Sequence, residues 1–74
     1  MSFQIAQAGP VSLNVVDASG RMIRALVRGE RTPGRYNVTW DRSDDWGRRM
    51  PEGVYFLRFE AGARRDVQKL VVMR

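Results

Sequence analysis

Asp41, Asp44 and Asp45 fall within one short stretch and form the one acidic cluster whose residue type and spacing invite a chemical reading. Hard cations take several carboxylate and carbonyl oxygens from a single loop, so a calcium site is one reading of them. The spacing departs from an EF-hand, whose ligands sit at alternate positions ahead of a Gly. The preferred reading is that these aspartates bond their own backbone in turns, and no metal and no cofactor is expected. Paired carboxylates for glycoside hydrolysis find no support, because acids in one loop have no partner across a cleft. The chain has no Cys and no His, which removes thiolate and imidazole as nucleophile, base or zinc ligand and leaves no disulfide to staple the fold. No Gly-rich loop opens a helix, so a phosphate cradle has no frame. The expectation is a protein that is not an enzyme.

Trp46 lies in the same stretch. Trp is uncommon in exposed turns, so it is read as folding back over a sheet, with a contact to a partner protein as the alternative. Thirteen Lys and Arg against eight Asp and Glu give a net charge of +5, which raises nucleic acid or an anionic surface as a target. The basic residues are spread over every segment with acids between them, and the longest basic run is two residues. Solvated outer faces are the preferred reading, and no nucleic-acid partner is expected.

Such residues need elements to carry them. Tyr55, Leu57 and Phe59 alternate along a strand entered through Pro51 and Gly53 and left at Ala61-Gly62, so all three point to one face, which should be core. A Tyr two residues inside a strand that follows a Gly turn has the placement of the tyrosine corner of immunoglobulin-like sandwiches, whose hydroxyl returns to the backbone. Phe3 to Gln7 alternates as a short first strand broken by Ala8-Gly9-Pro10. Val11, Leu13 and Val15 alternate more cleanly and end at a hairpin turn over Asp17 to Gly20. Arg21 to Val27 should return antiparallel. Its apolar residues fit neither period, which a bulge, an edge position or a single helical turn would explain. Arg28 to Gly34 reads as an exposed loop, and Tyr36, Val38 and Trp40 as an aromatic strand with Trp40 at the centre of the core. Arg65 to Met73 closes the chain, with Lys69 outward and Leu70 and Val72 inward.

Six or seven strands and no amphipathic helix select an all-β sandwich or small barrel, in a single domain over residues 1–74. The structural core is expected from Leu13, Val15, Val38, Trp40, Tyr55, Leu57 and Phe59. Trp46, Leu70 and Val72 are the candidates for partner contact, because a closing strand at a sheet edge can pair with another protein. No stretch reaches the roughly 18 apolar residues of a membrane helix, so no direct span is expected. Met1 to Pro10 lacks the pattern of a signal peptide, which suggests a targeting segment already removed or a piece of a longer chain.

Several of these stretches together carry a resemblance. The run Val-x-Leu-x-Val-x-Asp-x-x-Gly-Arg from Val11 to Arg21, Pro33-Gly34, Trp40-Asp41 with Asp44 and Gly47, Gly53-Val54-Tyr55-Phe56 and Lys69-Leu70-Val71-Val72 resemble the immunoglobulin-like domain first named for the flagellar hook-capping protein. They are also similar to the C-terminal sorting domains of the type IX secretion system. The resemblance implies an immunoglobulin-like, fibronectin type III-like antiparallel β-sandwich without catalytic residues. It further implies a place in a bacterial secreted or cell-surface protein, in the periplasm or at the cell surface, as a module that docks on other protein. A sorting or anchoring signal is the alternative role it implies.

Overall fold

The computed structural model describes residues 1–73, and Arg74 lies outside them. The described chain forms six strands: β1 Ser2–Ile5, β2 Gly9–Asp17, β3 Met22–Arg31, β4 Gly34–Asn37, β5 Gly53–Ala61 and β6 Arg64–Val72. They make two antiparallel sheets, a pair β1-β4 and a four-stranded sheet in the order β3-β2-β5-β6. This is an all-β immunoglobulin-like sandwich, in which the inner faces of both sheets supply one apolar layer.

Phe59, Leu13 and Val15 are fully buried at its centre. Tyr55, Leu57 and Val72 are buried with them, Phe3 and Ile5 come from the facing pair of strands, and Val11, Ile23 and Val27 complete the layer. The ring of Phe3 stands 4.8 Å from that of Phe59, which ties the two sheets together, and stacks at 5.3 Å on Tyr36 within its own sheet. Trp40 and Val38 are half-buried against this layer rather than inside it. Trp40 is therefore at the margin of the core, not its centre.

The segment expected as a strand through Trp40 stops pairing early for a geometrical reason. Among the described strands β4 pairs with β1 alone, and the ladder ends where Met1 and Val38 exchange N–H and C=O at 2.6 and 2.7 Å. Beyond that point the chain has no partner strand and turns away. The segment expected as a loop from Arg28 does the opposite. β3 runs on to Arg31 because β2 begins as early as Gly9 and offers it partners, Gly9 to Arg31 and Val11 to Gly29. Of the expected break Ala8-Gly9-Pro10, only Ala8 lies between the strands, and Gly9 and Pro10 open β2.

The irregular apolar pattern of β3 has two causes acting together. It is an edge strand, and its register against β2 slips twice, so that Leu26 and Ile23 are extra residues. Each bulge resets which side chain faces inward. The hairpin from β2 to β3 closes at Asp17 to Gly20: Gly20 N–H donates to Asp17 O at 3.0 Å, and Asp17 Oδ1 accepts from Ser19 N–H and Arg21 N–H. Gly20 sits at φ 89°, a conformation that favours a residue without Cβ.

Candidate functional site

Tyr55 is where the pattern of a sandwich corner is realised. Its ring is buried, and its hydroxyl donates to Pro51 O at 2.7 Å, four residues upstream. Trp40 packs edge-on against it, with ring centroids 5.3 Å apart, and the Trp40 indole N–H donates to Ser43 O at 2.8 Å. The core thereby grips the start of the loop that carries the acidic cluster.

The three aspartates of that loop do different work. Asp41 accepts from the Ser43 N–H and hydroxyl and lies 3.4 Å from the Arg24 guanidinium. Asp44, buried, accepts from the N–H groups of Trp46 and Arg48 at 3.0 and 2.8 Å and from Arg48 Nε at 2.9 Å. Asp45 accepts from Ala25 N–H at 3.1 Å, while its own N–H donates to Ile23 O at 3.1 Å. The carboxylates are turned to three separate sets of donors, and among the described residues no three acidic side chains converge on a common point. Arg24 completes the arrangement by reaching Ser43 Oγ at 2.6 Å and Asp44 O at 3.3 Å. The loop is in effect a lid on the free edge of β3, supplying partners for backbone groups that an edge strand leaves open.

Hydrogen bonding also sets the protonation of these acids. The Ser19 hydroxyl, then the Arg21 N–H, hold Asp17 below 3.8, and the Ser43 hydroxyl and N–H do the same for Asp41. Burial alone would raise Asp44, but the Arg48 N–H and guanidinium together with the Trp46 N–H outweigh it and bring the group below 3.8. Acids with a depressed folded-state value stabilise the fold at pH above their unfolded value, and that contribution is lost as pH falls through the lowered one. The melting temperature is therefore expected to stay level from neutrality to about pH 4 and to fall below it. Asp44→Asn should flatten part of that acid limb; an acid limb identical to that of the unaltered protein would show that Asp44 does not contribute to it.

Trp46 does not fold back over the sheet. It is 80% exposed at the tip of the loop, with the Arg48 guanidinium 6.0 Å from its ring centroid. Asp44 accepts from the N–H of Trp46 itself and from that of Arg48, which fixes the backbone of the tip with the indole in solvent. Leu70 and Val72, named as candidates for partner contact, point inward: Val72 is 8% exposed within the core, and Leu70 packs against it half-buried. The outward residues of β6 are Val67 and Val71, 67% and 58% exposed, and these were missed. Their signal was present in the alternation with Lys69, because fixing Leu70 and Val72 inward puts Val67, Lys69 and Val71 on the other face.

Unlike β3, β6 has no loop across its free edge among the described residues. Asp17 N–H donates to Arg21 O at 3.0 Å, which turns the backbone groups of the odd-numbered residues of β2 towards β3. Alternation then carries through the β2-β5 and β5-β6 registers, so that Arg65, Val67, Lys69 and Val71 direct N–H and C=O away from β5. The same four side chains share the outer face of the sheet. Next to them, Val54 is 37% exposed and half-buried Phe56 continues the apolar surface along β5, while Val16 opposite Phe56 on β2 is buried.

This combination of an unequal two-sheet sandwich, a tyrosine corner and an edge-covering acidic loop defines a small immunoglobulin-like module. The family model of the FlgD Ig-like domain matches residues 1–64. The chain belongs to that family. No curated protein and no solved structure matches it. The fold and the family are those of a small all-β domain consistent with a structural or docking role.

Proposed function

We propose that the domain is a protein-docking module of a bacterial secreted or cell-surface protein or assembly, working outside the cytoplasm, and that it docks through β6. One contrast carries the reading: the β3 edge is covered by the loop around Asp44 and Asp45, whereas the β6 edge is open beside exposed Val67 and Val71. An open edge with apolar side chains is a template for another strand. Membership of a family of immunoglobulin-like domains supports a binding rather than a catalytic task. Site-directed photocrosslinking in the native host tests it. A crosslinking residue at Val71 is expected to give one discrete adduct, and the same residue at Arg35 on the opposite sheet should give none. Adducts of equal yield from both positions, or none from Val71, would overturn the assignment.

A further inference from the structure

We propose that the occupant of the β6 edge is an extended segment of another protein whose outward side chains alternate between acidic and β-branched apolar residues. This inference rests on the docking reading and specifies its partner. The side chains flanking the open edge set the pattern. Along the outer face β6 presents Arg65, Val67, Lys69 and Val71, a basic residue and a valine in alternation. Lys69 lies opposite Phe56, and Arg58 on β5 lies opposite Val67, so neither cation faces an acid across the ladder. Neither makes an ion pair among the described residues. Glu60 is the one acid on this part of the face, and it sits opposite Arg65.

A strand added to β6 places its own side chains directly beside those four residues, at the spacing where cross-strand pairs interact. A residue beside Val71 meets an apolar surface that continues into Val54, and one beside Val67 meets the exposed valine with Arg58 behind it. A residue beside Lys69 meets that unpaired cation directly, so an acid there is attracted and a base repelled, while Arg58 lies one strand further in, level with Val67, and adds to the positive field of the face. The inner face of the same stretch gives no apolar reward, because Arg64, Asp66 and Gln68 are exposed and Arg64 is already ion-paired to Asp66 at 3.2 Å. The intervening residues of the partner are therefore polar.

The test uses the full chain and two synthetic peptides, Thr-Glu-Thr-Val-Thr-Glu-Thr-Val-Thr and the same sequence with Lys in place of Glu. Amide hydrogen exchange is read residue by residue. The Glu peptide is expected to slow exchange at Arg65, Val67, Lys69 and Val71 at least tenfold, with an effect that weakens as salt is raised. The Lys peptide should leave those amides unchanged. A Lys69→Glu, Arg58→Glu double variant, altered only on the surface, should reverse the preference. Equal protection by both peptides, protection centred on β1 instead, or no protection by either overturns the proposal. A discrete Val71 crosslink in the host alongside any of those results leaves docking through β6 standing and removes only the acidic partner.

Discussion

Phe59→Ala is expected to unfold the domain at ambient temperature. Phe59 is fully buried, pairs directly with Leu13 across the β2-β5 ladder, and holds the Phe3 ring at 4.8 Å from the facing sheet. The Arg64 guanidinium lies 5.1 Å over the Phe59 ring and donates to Gln4 O at 2.9 Å, so the ring also supports a side chain that ties β6 to β1. Truncating a buried Phe to Ala costs about 3–5 kcal/mol, because the lost transfer energy is joined by a cavity that the neighbours fill only in part. At the usual 0.05–0.15 kcal/mol per residue, a chain of this length has roughly 4–11 kcal/mol in total. The chain has no disulfide that could hold the sheets together once this contact is lost. Far- and near-ultraviolet circular dichroism should show loss of the folded signal, and a melting temperature within a few degrees of the unaltered protein would mean that the two sheets do not share this core.

The parts of the molecule that were legible in its sequence are those where one local period decides the outcome. Tyr55, Leu57 and Phe59, and Val11, Leu13 and Val15, alternate without interruption and lie on strands whose inner faces are buried throughout. The hairpin at Asp17 to Gly20 was legible because an Asx turn is made by its own four residues. What stayed hidden depends on partners distant in the chain. β3 looks aperiodic because its bulges are defined only against β2. Residues 28–31 carry the composition of a loop and become strand because Gly9 to Ser12 lie alongside. Trp46 is a local exception: the Asp44 turn fixes the backbone at 46 and 48, but the residue pattern does not say that the indole is left in solvent. The contrast between the two sheet edges is the least local feature of all, set by hydrogen bonds between Asp45 and β3, twenty or more residues earlier in the chain.

The two tryptophans should respond to truncation in opposite ways. Trp40 is half-buried, makes an edge-on contact with Tyr55 and donates to Ser43 O, so it serves both the margin of the core and the first turn of the loop that covers β3. Trp40→Ala is expected to cost about 2–4 kcal/mol, below the full value for a buried Trp because part of the ring is already in water, with the ring-ring contact adding to the area term. Trp46 is exposed and packs on no apolar residue, and Trp46→Ala should stay within about 0.5 kcal/mol. A second readout separates lost packing from a loosened loop. If Trp40 anchors the loop, Trp40→Ala should accelerate hydrogen exchange at Ala25, whose N–H is held by Asp45, by more than the fall in global stability explains. Exchange at Leu13, in the centre of the sheet, should track global stability alone. If both amides change by the same factor, the loop does not depend on Trp40 for its seat on β3, and the cover of that edge rests on Arg24 and the aspartates themselves.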